Sequence, residues 1–171
     1  MSHSAIDRPE GYSPRVGALL AMSEDCRERT LRLLETLDPS RVDSPTEWQG
    51  NTVGSLLYHI AAIELDWLYA ELMAKDFPEE ASEWFPHDVR EEGGRLTPVL
   101  GEPKERHLAR LGWVRDRMRE ELRSLADEDL QATRSTDGDN TVTPEWVFHH
   151  LMQHEAEHRG QLGEILVSWG I

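Results

Sequence analysis

Residues 143–170, TPEWVFHHLMQHEAEHRGQLGEILVSWG, read as one long helix whose inward face is chemically wrong for a plain core. Thr143 is placed to cap it. Pro144 stands at the first helical position, where a missing N–H costs nothing, and Glu145 meets the positive end of the helix dipole. The helix is predicted over about 144–169, with Gly170 ending it. At about 100° per residue, one face collects Val147, Leu151, His154, His158, Gln161, Leu162, Ile165 and Trp169. That stripe must face a core, yet three polar side chains occupy its middle. Burying a polar group without a partner costs roughly 1–3 kcal/mol, so the three need a joint explanation.

Helical spacing recurs along the rest of the chain, with no convincing alternating strand. A first helix is predicted over about 14–37, with Ser13 as cap, Pro14 at its first position, and Leu19, Ser23, Cys26, Thr30, Leu33, Leu34 and Leu37 on one face. Asp38-Pro39 stops it. A connection containing Trp48 leads to a second helix over about 52–73, capped by Thr52, with Val53, Leu56, Ile60, Ile63, Trp67 and Leu68 inward. A third covers about 103–125 on a seven-residue rhythm of Leu108, Leu111, Met118, Leu122 and Leu125, and a polar loop through Asp137-Gly138-Asp139-Asn140 follows. The segment 76–103 between the second and third helices is rich in Pro, Gly and acidic residues, and is expected to cross over the bundle with a short helix in it. Four helices with one long crossover make an all-α four-helix bundle.

The 171 residues suit a single domain over 1–171, and 38% apolar with 30% charged residues is an ordinary globular composition. No stretch approaches the ~18–20 apolar residues of a membrane span, and the first residues lack the basic-then-apolar pattern of a secretory signal, so a cytoplasmic protein is expected. A net charge of −15 argues against nucleic acid as a partner. The one cysteine, Cys26, rules out an internal disulfide and reads as a buried thiol.

His154 and His158 lie one turn apart on the same face, the spacing with which a helix offers two imidazoles to one ion. His59 lies on the second helix within about 60° of its apolar centre and can supply a third ligand. His150, four residues before His154, forms an equally spaced pair with it, and spacing alone leaves both pairs open. His149 reads as surface, and His3, His87 and His107 as edge or loop positions. Three neutral imidazoles suit zinc, nickel, copper or iron better than calcium or magnesium, and leave a coordination position open.

The string His154-Glu155-Ala156-Glu157-His158-Arg159-Gly160-Gln161 resembles the HxxxHRGQ signature of the DinB/YfiT-like metalloenzyme family. Tyr58 to Trp67, YHIAAIELDW, is similar to that family's second-helix histidine motif, and Pro144-Glu145-Trp146 to its pattern before the last helix. The resemblance covers nearly the whole chain. It implies an up-up-down-down bundle, one divalent ion (zinc or nickel first) on His59, His154 and His158, and a homodimer. It also implies a small-molecule substrate and transferase or isomerase chemistry with a low-molecular-weight thiol such as mycothiol, bacillithiol or glutathione.

Other roles follow by position. Glu64, Glu155 and Gln161 are within helical reach of the ion as a general base, which a hydrolase using water would need, or as partners of the ligand rings. A non-catalytic metal-binding module is a third reading, and there Cys26 could close the coordination sphere. Arg115 interrupts the apolar seam of the third helix, and either holds a substrate carboxylate or forms a salt bridge. Arg159 points off the core face toward a carboxylate or a dimer contact. The tryptophans read as core or interface.

Overall fold

The computed structural model describes residues 5–46, 50–136 and 140–171. His3, Trp48 and the Asp137-Gly138-Asp139 stretch lie outside the described residues. In chain order the helices are α1 (Pro14–Leu33), α2 (Val53–Trp67), the short α3 (Ala81–Trp84), α4 (Lys104–Glu121) and α5 (Pro144–Ser168). Two-residue strands, β1 (Arg134–Ser135) and β2 (Thr141–Val142), pair antiparallel. The four long helices pack as a bundle, as the apolar spacing predicts, and no helix among the described residues is long and apolar enough to cross a membrane.

Helix ends follow local chemistry. Thr52 and Thr143 cap as expected: their hydroxyls accept from Ser55 N at 3.0 Å and Trp146 N at 3.3 Å. Ser13 does not. Its hydroxyl donates to Leu125 O, and the first amides of α1 (Arg15 N and Val16 N) instead donate to Asp127 Oδ1 at 2.8 and 3.1 Å. The predicted spans also took in tighter or looser terminal turns: 3₁₀ turns at Leu34–Thr36 and Leu122–Ser124, and a π turn at Leu68–Leu72.

The helix directions correct the up-up-down-down expectation. Arg15 and Glu145, both in first turns, form an ion pair, so α1 and α5 run parallel. Gly54 and His107, again both near helix starts, are in contact, so α2 and α4 also run parallel. Trp67 near the end of α2 meets Trp146 at the start of α5, so those two are antiparallel. The order is up-down-down-up. The connection between α2 and α4 is the longest, and it is the one that returns along the bundle, whereas up-up-down-down needs two such returns.

This crossover also buries the outer side of most of α2. Val99 packs on Tyr58 and Ala62, away from the main core, and its amide donates to Ser55 Oγ at 3.0 Å. His107 and Arg110, outside the predicted stripe of α4, are fully buried beneath this strap. Arg110 grips Glu102 through Nη2 at 2.6 and 2.8 Å and donates to Trp84 O, while the His107 ring comes so close to Gly54 that a Cβ there would lie 2.9 Å from Nε2. His107 is therefore interior, not an edge residue.

At the centre of the bundle each long helix contributes one charge: Arg27 (α1), Glu64 (α2), Arg115 (α4) and Glu155 (α5), all buried. Arg27 Nε donates to Glu155 Oε1 at 2.8 Å, Arg27 Nη1 to Leu111 O at 2.9 Å, and Arg27 Nη2 to Glu64 Oε2. Arg115 Nε lies 2.9 Å from Glu64 Oε1, and its Nη2 3.5 Å from Glu155 Oε2. Although burial opposes both charges, the pairing raises the pKa of Arg27 and lowers that of Glu155. Removing one member strands an uncompensated charge. Arg27→Met is expected to cost about 3–5 kcal/mol in urea unfolding, whereas Arg29→Met, which loses only the exposed pair with Asp25, leaves the midpoint nearly unchanged.

Candidate metal centre

Because α2 and α5 run antiparallel and in contact, His59 on α2 meets His154 and His158 on successive turns of α5. His154 Nε2 lies 3.1 Å from His59 Nε2 and 3.0 Å from His158 Nε2. One ring nitrogen from each histidine falls within 4.8 Å of the others, and these are the residues among those described that group as a candidate metal site. Tetrahedral ligation at about 2.0–2.1 Å places ligand nitrogens ~3.3 Å apart, close to the two separations that His154 makes.

The electrostatics favour ligation. His158 Nδ1 lies 3.0 Å from Gln161 Oε1, an acceptor, which puts the proton on Nδ1 and leaves Nε2 a lone pair facing the cluster. Buried Nδ1 of His59 has no hydrogen-bond partner, so nothing in the described protein commits that ring to one tautomer. Burial first, then the neighbouring imidazole His158, brings His59 and His154 down to about 3. His158 is also lowered by burial, against an opposing pull from Gln161. Three imidazoles held neutral, with nitrogens converging, form a donor set that suits a borderline divalent cation.

The rival ligands go elsewhere. His150 stacks on Trp146 (ring centroids 5.0 Å apart, planes 5° from parallel) and packs on Trp67 at 4.4 Å, outside the cluster. Cys26 is buried between α1 and α5, its thiol donating to Met152 O at 3.5 Å, and it too stands outside the cluster. Burial, then the charge of Glu155, raises its pKa and keeps it a thiol. Arg159 Nη1 donates to Cys26 O at 3.1 Å, and among the described residues it forms no ion pair.

Glu64, Glu155 and Arg115, candidates for a base and a substrate anchor, are committed to the buried ion network. Carboxylates already paired with two guanidiniums are poor proton acceptors, and Arg115 faces the protein's own glutamates. Gln161 orients His158. Sequence reasoning missed Arg27. Its signal was present: Arg27 sits seven residues from both Leu20 and Leu34, in register with the core positions of α1. Also missed were Arg90 and Arg95, which with Asn51, His158 and Gln161 line a cavity of about 320 Å³ beside the cluster.

Comparison with known proteins bears on the family and the fold. The family model described as the DinB superfamily matches residues 22–162. No curated protein matches the chain significantly. Among solved structures, a conserved protein from Enterococcus faecalis superposes with a TM-score of 0.65 at 15% identity, covering 84% of this chain and 90% of that one. A protein from Streptococcus pneumoniae superposes with a TM-score of 0.63, also at 15% identity, covering 94% and 91%. At that identity the likeness speaks to fold alone.

Two expectations follow from the site. Metal content of the purified protein should be stoichiometric in wild type and His150→Ala and lost in His158→Ala; retention in His158→Ala would revive the His150 pair. The second concerns pH. An unfolded histidine takes up its proton near 6.5, whereas folded His59 and His154 wait until about 3 and His107 until about 4. Below about pH 6.5 the unfolded state therefore binds more protons, and the metal-free protein loses stability as pH falls. Urea midpoints between pH 8 and 5 test this; a flat profile contradicts the neutral, buried imidazoles.

Proposed function

The chain belongs to the DinB superfamily, and we propose from that membership and the imidazole cluster that it is a divalent-metal-dependent, thiol-using transferase or isomerase. Three converging nitrogens carry the reading, with His154 Nε2 3.1 Å from His59 and 3.0 Å from His158. His59, His154 and His158 would hold the ion, with zinc or nickel the best match to their chemistry. A cation bound there supplies a Lewis acid that favours the ionised form of a low-molecular-weight thiol at neutral pH.

The chain's own residues do the rest. Gln161 keeps His158 in its ligating tautomer. Tyr58, Ala62 and Val99 seal the outer side of α2 with the crossover, so that water reaches the cluster from the cavity that His158 lines. In the reaction the thiol proton leaves to solvent, sulfur bonds to an electrophilic carbon, and the displaced group departs with its electron pair. Hydrolysis with a side-chain base has less support. Among the described residues that line the cavity there is no carboxylate, and the nearby glutamates are ion-paired. A purely structural ion normally has its fourth position closed by protein, and the cluster offers only three donors among the described residues.

Cobalt-substituted protein titrated with mycothiol, bacillithiol and glutathione tests the proposal. At least one thiol is expected to perturb the visible spectrum saturably, and His158→Ala to abolish the response. Silence with all three thiols rules out the thiol-using activity.

A further inference from the structure

The cavity beside the cluster is walled by hydrogen-bond donors. Arg90 and Leu96 face each other across a tight reverse turn, closed by Glu91 N donating to Arg95 O and Gly94 N to Glu91 O, each at 2.9 Å. Gly94 makes the turn possible, with φ at +77°, a conformation that L side chains rarely adopt. Arg90 Nη1 donates to Gly94 O at 2.8 Å, which fixes the guanidinium and leaves its other N–H groups unspent. Across the cavity, Gln161 gives its carbonyl oxygen to His158, so its amide N–H groups remain free.

Several of the chain's other arginines are spent on ion pairs: Arg15, Arg27, Arg110, Arg115 and Arg119 all have carboxylate partners. Among the described residues Arg90 and Arg95 form no ion pair, although the chain carries 33 acidic residues and a net charge of −15. Glu91 and Glu92, in the same turn, do not line the cavity. An acidic protein repels small anions in general, so two guanidiniums lining this mouth, unpaired among the described residues, offer positive charge where a ligand enters.

We propose that Arg90 and Arg95 bind a carboxylate of the small molecule whose thiol approaches the imidazole cluster, so that the site selects anionic thiols over neutral ones. The inference rests on the thiol-using function proposed above. A planar guanidinium offers a carboxylate two parallel N–H donors, and charge-assisted hydrogen bonds of this kind are about twice as strong as neutral ones. Gln161 adds donors on the opposite wall. The two arginines are positioning and specificity residues, distinct from the donors of the cluster.

Calorimetric titration with three probes separates the parts: mercaptosuccinate (thiol and carboxylates), 1-thioglycerol (thiol only) and succinate (carboxylates only). The proteins are metal-loaded wild type and the Arg90→Gln/Arg95→Gln variant, each with its metal content measured; both arginines are exposed, so the variant should melt with wild type. Wild type is expected to bind mercaptosuccinate about tenfold or more tightly than thioglycerol, and the double variant to lose that preference while keeping its metal and its thioglycerol affinity. Added salt should weaken mercaptosuccinate selectively. Equal affinity of wild type for the two thiols, or an undiminished preference in the variant, overturns the anion site. If thioglycerol fails to bind metal-loaded wild type while succinate binds in an arginine-dependent way, the thiol reading fails and the anion site stands. Failure of succinate and mercaptosuccinate alike removes the anion site whatever thioglycerol does.

Discussion

Two arginines and two glutamates, one from each long helix, meet in the interior, and the bundle is arranged around their need for one another. Their charges cancel, so no counterion has to enter. Desolvating four charges is nonetheless costly, and the cost is offset only if every helix has the rotation and height that bring its charge into contact. A greasy interface tolerates sliding by a turn, whereas this one does not. Glu155 and His154 are neighbours on α5, so the rotation that turns Glu155 toward Arg27 also turns His154 and His158 toward α2. Glu64 stands five residues beyond His59 on α2, and sets the height at which His59 meets them. The imidazole cluster is thus placed by the ion network.

The division of charge matters as much as the placement. Glu64 and Glu155 are spent on guanidiniums, and among the described residues no carboxylate hydrogen-bonds to the cluster. Burial then leaves its imidazoles neutral, with His59 and His154 far below the ordinary histidine range. Ring nitrogens facing one another across about 3 Å are held together by a shared proton or a cation between them. With a cation there, all three can turn a lone pair inward.

How much of this could be read from residues alone depended on periodicity. His154 and His158 announced themselves because they interrupt an apolar stripe at helical spacing, and the family motif chose them over His150, which instead stacks on Trp146 and Trp67. Arg115, Glu64 and Glu155 drew notice singly. Their common purpose did not, because Arg27 was passed over and a quartet cannot be recognised from three members on separate helices. The burial of His107 and Arg110 was hidden for another reason: they lie off the stripe of α4 and are covered by the crossover, a segment with no period to indicate what it covers. Helix direction was equally silent, since an apolar stripe looks the same whichever way its helix runs.

That direction has a consequence for the site. With α2 and α4 parallel, the chain must travel back along the whole bundle between them, and its path lies over the outer side of α2. Val99 fastens the strap on Tyr58 and Ala62 around the middle of α2. The turn carrying Arg90 and Arg95 therefore arrives beside Asn51, His158 and Gln161. A bundle with antiparallel second and third helices could close with a short loop and would leave the cluster open to solvent on that side. Here the topology supplies the wall, on a segment that contributes nothing to the central ion network. Residues in such a strap can change with little penalty to the helices beneath, so the mouth can be altered to suit a ligand while the four charges and three imidazoles stay fixed.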